Sequence, residues 1–239
     1  MSKWISAACL GMGLVLAAPA TGQEPAAYDG KTVAQWVKQL QEGDAKAKGA
    51  AARALGILGP KAKEALPELV KALRDKNPAV RDWAAFAVAN MGPDAKSAVP
   101  TLTEMLQDPD YELRRSAANA LGSIGPAAKE AVPGLIKALE EIDDPWLNWH
   151  AAMALSRIGP DAKKAVGPLK NTLETSNYYI VRHGAIKALG GIGPDAKPAL
   201  KAILEVWEDK DADPDLRRIS ADAIKNIDPE AAKKAGIRD

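Results

Sequence analysis

Apolar and small residues recur along this chain at the spacing of one helix face. Counted back from a glycine that is followed by proline, the positions −12, −8, −5, −4 and −1 are apolar or small in nearly every copy of the pattern. In one copy they are Leu113, Ala117, Ala120, Leu121 and Ile124. Gaps of 4, 3, 1 and 3 residues describe one side of an α-helix. The pattern predicts helices that end at the glycine, since the proline that follows cannot continue them.

The pattern returns at a regular interval. The closing prolines lie at positions 60, 93, 126, 160, 194 and 229, so the intervals are 33, 33, 34, 34 and 35 residues. Self-similarity at this period is typical of a solenoid. We therefore predict six helical hairpins, at residues 31–60, 61–93, 94–126, 127–160, 161–194 and 195–229. Position −5 is alanine in every copy, which allows two helix backbones to approach closely: Ala54, Ala87, Ala120, Ala154, Ala188 and Ala223.

Each hairpin also contains a first helix with its own apolar face. In the first hairpin that face carries Val33, Trp36, Val37 and Leu40. Prolines fall in the first turn of three first helices, where a missing N–H costs nothing; these are Pro67, Pro100 and Pro133. The last copy ends in Asp-Pro and has a polar second helix, which predicts a terminal cap. Residues 231–239 are expected to form a frayed tail or a helix remnant.

The N-terminal residues predict export. A basic start at Lys3 is followed by an apolar stretch and by Ala18-Pro19-Ala20, which fits a signal-peptidase site. Residues 1–20 are therefore expected to be a signal peptide and 21–30 a short polar leader, with no membrane span after cleavage. The alternatives are an uncleaved anchor and lipidation at Cys9. The expected location is the periplasm or the cell surface of a bacterium, or the medium around it.

Composition excludes some partners. Hydrophobic residues make up 47% of the chain and aromatic residues 5%, so the core must be built from Ala, Leu, Val and Ile. Of 32 basic and 31 acidic residues, cleavage removes only Lys3, which leaves a formal charge of zero. Nucleic-acid binders normally carry a basic excess or stripe, so a nucleic-acid partner is not expected. Cleavage also removes the single cysteine, so stability must come from helix packing.

The repeat unit reads AVPxLxxxLxDxxxxxRxxAAxALGxIGPxAK and is clearest in residues 98–129. It resembles the HEAT repeat, in the subtype first described in phycobilisome lyases, and the resemblance extends over about residues 31–230. It implies an all-α solenoid, a right-handed α-α superhelix of the armadillo type. The resemblance predicts the fold but not the function, because HEAT repeats occur in proteins with unrelated functions.

The resemblance also implies a ladder of acidic and basic residues inside the stack, with each acid six residues before a base. The matching pairs are Asp75/Arg81, Asp108/Arg114, Asp211/Arg217 and, more loosely, Glu42/Lys48. Ile142/Asn148 and Ser176/Arg182 depart from the pattern. We expect the ladder to be interrupted around the fourth and fifth repeats, and the array to bend or bind differently there.

Signs of enzymatic chemistry are sparse. His150 and His183 lie one repeat apart, and neither precedes a glutamate, so the His-Glu pairs of metal-binding HEAT-repeat hydroxylases are missing. The Gly190–Gly193 stretch is a helix end in the other copies rather than a phosphate loop. Acidic residues fall in turns and at helix starts, where capping explains them. We expect no catalytic residue, no metal and no cofactor.

The candidate site consists of residues that the repeat pattern does not determine. Positions −13, −9, −6 and −2 of the second helices form a stripe that the resemblance places on the concave face. Aromatic, Met and Arg side chains there suggest a partner-binding surface. The alternative is that the aromatic rings fill gaps between repeats. The candidates are Trp83, Phe86, Trp146, Trp149, His150 and Met153, with Tyr178 and Tyr179 as rim residues.

These observations predict an exported, non-enzymatic scaffold that binds a protein or peptide along its concave face. The alternative by analogy with phycobilisome lyases is a bilin lyase or isomerase, which export and the absence of catalytic residues argue against. A HEAT-like DNA glycosylase is weakened further by the neutral charge. A purely structural role in an envelope assembly agrees with the same sequence features as the partner-binding scaffold.

Overall fold

A computed structural model describes residues 26–141 and 143–238, and the predicted signal peptide lies outside them. In the described part, six hairpins follow one another. They pair α1 (Val33–Glu42) with α2 (Ala45–Leu58), α3 (Leu66–Ala72) with α4 (Pro78–Met91), α5 (Val99–Met105) with α6 (Tyr111–Ile124), α7 (Val132–Leu139) with α8 (Pro145–Ile158), α9 (Val166–Thr175) with α10 (Tyr179–Ile192), and α11 (Leu200–Glu208) with α12 (Pro214–Ile227). A last helix, α13 (Pro229–Lys234), follows. The chain is thus the predicted all-α solenoid.

A short β-hairpin at the N-terminal end was not predicted. Strands β1 (Ala27–Tyr28) and β2 (Lys31–Thr32) pair antiparallel, and both turn residues, Asp29 and Gly30, have positive φ, as a tight two-residue hairpin turn requires. The Trp36 indole donates to the Tyr28 carbonyl at 3.1 Å. The Lys31 ammonium lies 4.3 Å from the centre of the Trp36 ring. The hairpin therefore covers the one tryptophan that the first repeat buries.

The glycines that end the second helices adopt a conformation that other residues avoid. Their φ lies between 55° and 76° at Gly59, Gly92, Gly125, Gly159 and Gly193. A Cβ atom is strained at such φ values, which explains glycine at these positions. Asp228 ends the last copy with φ −152°, so no glycine is needed there. Each glycine begins a 3-10 segment that leads into the next first helix: Gly59–Ala65, Gly92–Ala98, Gly125–Ala131, Gly159–Ala165 and Gly193–Ala199.

The second helices, which we call the inner helices, pack closely in one row. A Cβ built on Gly56, Gly122 or Gly190 would lie 2.9–3.0 Å from the Cα of the −5 alanine of the next repeat. The predicted close approach of backbones at these alanines is confirmed. The first helices touch one another far less. Because the inner row is the tighter one, the array curves toward it, which places the inner helices on the concave face.

The ladder pairs differ from the sequence pattern in their partners. The Lys48 ammonium lies 3.0 Å from the Asp75 carboxylate, and Arg81 lies 3.1 Å from Asp108. Arg114 pairs with Glu141 at 3.8 Å. These three bases thus bond to an acid of the following repeat, whereas Arg217 of the last repeat donates to the Trp207 carbonyl at 3.2 Å. Among the described residues, the acid and base six residues apart within one repeat form no ion pair, although Arg81 donates to the Asp75 backbone carbonyl.

The ladder stops at the junction of the fourth and fifth repeats. Asn148 stands in place of the base, and its amide nitrogen donates to the carbonyls of Ala138, Leu139 and Glu141 at 2.8–3.1 Å. It therefore satisfies the C-terminal end of its own first helix. The Asn148 side chain is shorter than the lysine or arginine at the equivalent positions, so it does not continue the ladder into the next repeat. Ser176, which occupies the position of the acid in the fifth repeat, has no carboxylate.

Replacing Asn148 with alanine should lower the free energy of unfolding by about 2 kcal/mol, because three carbonyls at a helix end lose their donor in a buried place. Asn148→Asp, which places an acceptor against those carbonyls, should cost more than Asn148→Ala. Urea unfolding followed by circular dichroism measures both. Asn119 is exposed with no side-chain hydrogen bond among the described residues, so Asn119→Ala should change stability by less than about 0.5 kcal/mol. Equal effects at the two asparagines would contradict this account.

Across the described ranges, none of the helices has the length and apolar character needed to cross a membrane.

Candidate functional site

The inner helices bring the six predicted residues together in two groups. The α4 patch consists of Trp83 and Phe86, whose ring centres are 5.6 Å apart in an edge-to-face arrangement. The α8 patch consists of Trp146, Trp149, His150 and Met153. Within it, Trp149 lies 6.4 Å from Trp146 and 4.8 Å from His150, centre to centre. Edge-to-face pairs of this kind hold each ring in a defined orientation.

Part of each aromatic group packs between repeats, as the alternative interpretation expected. A Cβ on Gly49 would lie 3.3 Å from the Trp83 ring, and one on Gly56 would lie 2.8 Å from the Phe86 ring. Gly184 offers the same kind of seat to Trp149, at 3.3 Å. The glycines of neighbouring inner helices thus make room for these rings.

Packing does not account for the whole aromatic surface. Trp146 is 52% exposed and Phe86 is 39% exposed. Ile57, which follows one of the glycine seats, is 45% exposed and extends the α4 patch on the same face. Sequence reasoning missed Ile57, although its −2 position on the stripe was a usable signal.

A hollow of about 330 Å³ lies between α6 and α8. Its lining joins charged and amide groups from α6 to rings from α8. The lining residues are Glu112, Arg115, Ser116, Asn119, Trp146 and His150. Arg115 was not among the predicted residues, because it lies one position off the stripe that the sequence singled out.

An ion pair fixes one wall of this hollow. The Arg115 guanidinium donates to both carboxylate oxygens of Asp144 at 2.8–3.1 Å and to Glu112 at 2.6 Å. The Asp144 side chain is 1% exposed, and it also caps α8 by accepting from the Leu147 N–H. The pair connects two repeats and holds the charged wall beside the tryptophan.

The two histidines of the inner helices, His150 and His183, have pKa values below the usual histidine value. Burial, reinforced by the positive charges of Arg115 and Arg157, lowers the pKa of His150. Burial also lowers the pKa of His183, although the Asp215 carboxylate lies 3.6 Å from its Nε2 atom. Burial thus favours the neutral imidazole at both positions.

The two patches are separated by the polar face of α6. That face carries Glu112, Ser116, Asn119 and Ser123. The Ser116 hydroxyl donates to Asp82 of α4 at 2.6 Å. Because the patches lie two helix steps apart and packed helices are roughly 8–10 Å apart, about 20 Å separates them. The predicted residues therefore form two separate patches rather than one continuous stripe.

The predicted rim tyrosines have different surroundings. The Tyr179 hydroxyl donates to Asp215 at 2.8 Å, and this carboxylate also accepts from Arg218. Tyr178 is 57% exposed and lines a groove of about 450 Å³ at the interrupted ladder, with Asn148 and Ser176. Equivalent grooves at the first and second junctions have volumes of about 230 and 380 Å³ and hold ladder ion pairs. Tyr178 thus lies in the groove beside the ladder, in the turn between α9 and α10.

The described residues contain no group of three or more side chains suited to hold a metal ion. The arrangement on the concave face offers exposed rings, hydrogen-bonding groups and charges. Such a surface can bind a partner through apolar anchors and polar contacts.

Comparison with known proteins agrees with this architecture. HEAT repeats match at residues 33–110, 84–133 and 99–190, and the PBS lyase HEAT-like repeat matches at residues 181–205. The matches to HEAT repeats span more than half of the chain, so the protein belongs to the HEAT-repeat family. No curated protein matches the sequence significantly.

Many solved structures are similar, among them these three. An engineered protein is 27% identical, with a TM-score of 0.64, over 84% of this chain and 97% of that one. The complex of CpcE and CpcF of phycocyanin lyase from Nostoc sp. is 26% identical, with a TM-score of 0.62, over 91% and 85%. A designed armadillo repeat protein is 19% identical, with a TM-score of 0.65, over 82% and 100%, and this likeness concerns the fold alone.

Proposed function

We propose that this HEAT-repeat array is an exported, non-enzymatic scaffold that binds a protein or peptide partner along its concave face. The observation that carries the proposal is the exposure of Trp146 and Phe86 on that face, at 52% and 39%. Large rings that a monomer leaves exposed at the centre of a concave surface are typical anchors of protein interfaces. Trp83 and Trp149 support them from partly buried seats.

Affinity capture from the envelope and culture-medium fractions of the source organism tests this proposal. We expect one protein to be enriched by the wild-type bait and lost by a Phe86→Ala/Trp146→Ala bait. Tyr28, 37% exposed on the β-hairpin, provides the matched control, since its contact to Trp36 uses only the backbone carbonyl. Tyr28→Ala should retain the partner.

Calorimetry with the purified partner then measures the loss of binding affinity in the double variant. Removing two anchors should weaken binding by at least about 100-fold, since a single hot-spot residue contributes about 2 kcal/mol or more. Circular dichroism establishes that the variants fold. A folded double variant that binds as tightly as the wild type would refute the concave site.

Export is a separate part of the proposal. It is supported by the basic start, the apolar stretch and the Ala18-Pro19-Ala20 site. Fractionation of the native host, followed by mass spectrometry of the N-terminus, should find the protein outside the cytoplasm and beginning at Thr21. A cytoplasmic protein that retains Met1 or Ser2 would contradict it.

The likeness to phycocyanin lyase favours a second candidate function, the binding and transfer of a bilin. Under that hypothesis the rings of the α8 patch would contact the chromophore. Incubation of the purified protein with a bilin should then change the visible absorbance spectrum, and Trp146→Ala should reduce the change. An unchanged spectrum would dismiss this candidate.

A further inference from the structure

Basic side chains on the concave face lack internal partners. Lys46 and Arg53 lie on α2, Arg157 on α8 and Lys187 on α10, in the same register as the candidate residues. Within the described ranges, none of these four has a carboxylate within 4.0 Å or a side-chain hydrogen bond. Other bases of the solenoid, such as Lys48, Arg81 and Arg114, are paired in the ladder.

The acids of the same face are already engaged. Glu112 pairs with Arg115 at 2.6 Å, and Arg218 pairs with both Asp215 and Asp222. Asp82 accepts a hydrogen bond from Ser116. Although the chain has 32 basic and 31 acidic residues in total, its concave face therefore presents cations in excess of the carboxylates that are free to meet them.

The unpaired bases accompany the aromatic patches. The Arg53 guanidinium lies 5.4 Å from the centre of the Trp83 ring. Arg157 lies one helical turn after Met153 and acts on the pKa of His150, and Lys187 acts on the pKa of His183. Each apolar anchor point is thus next to positive charge, and charge complementarity at an interface selects a partner of opposite sign.

The spacing of the patches fits an extended chain. An extended peptide advances roughly 3.3 Å per residue, so the separation of about 20 Å between the patches corresponds to about six residues. A segment that crosses α4, α6 and α8 would place its middle residues over the polar face of α6. There Asn119 and Ser123 offer hydrogen-bonding groups to a peptide backbone.

We propose that the partner presents an acidic, extended peptide segment with two apolar side chains about six residues apart. One side chain rests on the α4 patch and the other on the α8 patch. Its carboxylates pair with Arg53 at one end and with Arg157 and Lys187 at the other. This inference rests on the proposed function of the concave face and adds the chemistry of the partner.

Selection from a phage library of random peptides, panned on the purified protein, tests the inference. We expect the enriched peptides to be rich in Asp, Glu and aromatic residues relative to the input. Arg157→Glu/Lys187→Glu should shift the selected peptides away from acidic ones. Lys96→Glu/Lys129→Glu provides the matched control, since both lysines are exposed in 3-10 segments with no ion pair among the described residues, and it lowers the net charge equally. The control should select the same peptides as the wild type.

The outcomes separate this inference from the function on which it rests. Enrichment of neutral or basic peptides that depend on Trp146 would overturn the acidic partner and leave the concave site standing. If no peptide is enriched, or if Phe86→Ala/Trp146→Ala selects the same peptides as the wild type, both proposals fail.

Fluorescence polarisation with the most enriched peptide measures how much the basic side chains contribute to peptide affinity. The Arg157→Glu/Lys187→Glu variant should bind it about tenfold or more weakly, because two attractive pairs become repulsive. Binding to the wild type should weaken as salt is raised, since exposed charges are screened. An affinity that is insensitive to both charge reversal and salt would overturn the acidic partner.

Discussion

Replacing Asp144 with alanine should lower the free energy of unfolding by about 2–4 kcal/mol. The side chain is 1% exposed, holds the Arg115 guanidinium through both carboxylate oxygens, and caps α8. Loss of the cap alone costs about 1 kcal/mol. Breaking a buried pair costs about 3–5 kcal/mol because the remaining charge loses its partner, and the figure is reduced here since Arg115 keeps Glu112 and is partly exposed.

Two variants separate the cap from the ion pair. Asp110 caps α6 in the same way but is exposed and forms no ion pair among the described residues, so Asp110→Ala should cost only about 1 kcal/mol. Asp144→Asn keeps a capping oxygen but removes the charge, so its effect should lie between those of the two alanine variants. Urea unfolding followed by circular dichroism ranks the three. The ion-pair account fails if Asp144→Ala and Asp110→Ala are equally destabilised.

The same carboxylate predicts a dependence on pH. Burial by itself raises the pKa of Asp144, but the hydrogen bonds from Arg115 and Leu147 and the charges of Arg115 and Arg114 outweigh it and leave the pKa below its usual value. A lowered pKa contributes stability above the unfolded-state value of about 3.9, and that stability is lost as the pH falls through the folded-state value. The difference in stability between the wild type and Asp144→Ala should therefore be largest near neutral pH and shrink below about pH 4.

The regular part of the fold could be predicted because every repeat contains the same sequence signals. The Gly-Pro pair, the alanine at position −5 and the prolines in the first turn act within one hairpin, so their effects follow from local rules. Gly125 illustrates this, since its φ of 68° and ψ of −138° lie in a region that glycine adopts and other residues avoid. The β-hairpin occurs once, so no repetition drew attention to it.

Contacts between repeats were harder to predict. The spacing of acid and base within a repeat indicated a ladder, but the partner of Arg81 is Asp108, in the next repeat. Arg115 and Asp144 are likewise 29 residues apart and meet only because α6 and α8 are neighbours. Such pairs depend on the offset between stacked hairpins, which no single repeat encodes.

The candidate site was predictable in position but not in exposure. The stripe positions led to Trp83 and Trp146, and both lie on inner helices. Whether a ring is seated or exposed depends on the facing residue of the neighbouring repeat. Gly49 gives Trp83 a seat, whereas Trp146 remains 52% exposed. The sequence pattern therefore indicated a surface, and the packing of neighbouring helices determines which of its rings are available to a partner.

Replacing Gly122 with valine should lower the free energy of unfolding by about 1–2.5 kcal/mol, because overpacking a well-packed contact costs about 1–3 kcal/mol and the backbone atoms of the facing helix cannot rotate out of the way. A Cβ on Gly122 would lie 3.0 Å from the Ala154 Cα and 3.3 Å from its Cβ. Valine has a better helix propensity than glycine, which offsets about 0.5 kcal/mol of the loss. The α6–α8 contact would have to widen.

A matched glycine and a second measurement make this prediction specific. Gly167 lies in the first turn of α9, and a Cβ there would meet nothing within 4 Å, so Gly167→Ala should be neutral or stabilising by up to about 1 kcal/mol. The hollow between Arg115 and Trp146 lies along the same α6–α8 contact. Gly122→Val should therefore also change the tryptophan emission spectrum under native conditions, whereas Gly167→Ala should leave it unchanged. If Gly122→Val is as stable as the wild type, the inner helices are not held together by the close approach of small residues, and the curvature that forms the concave face needs another cause.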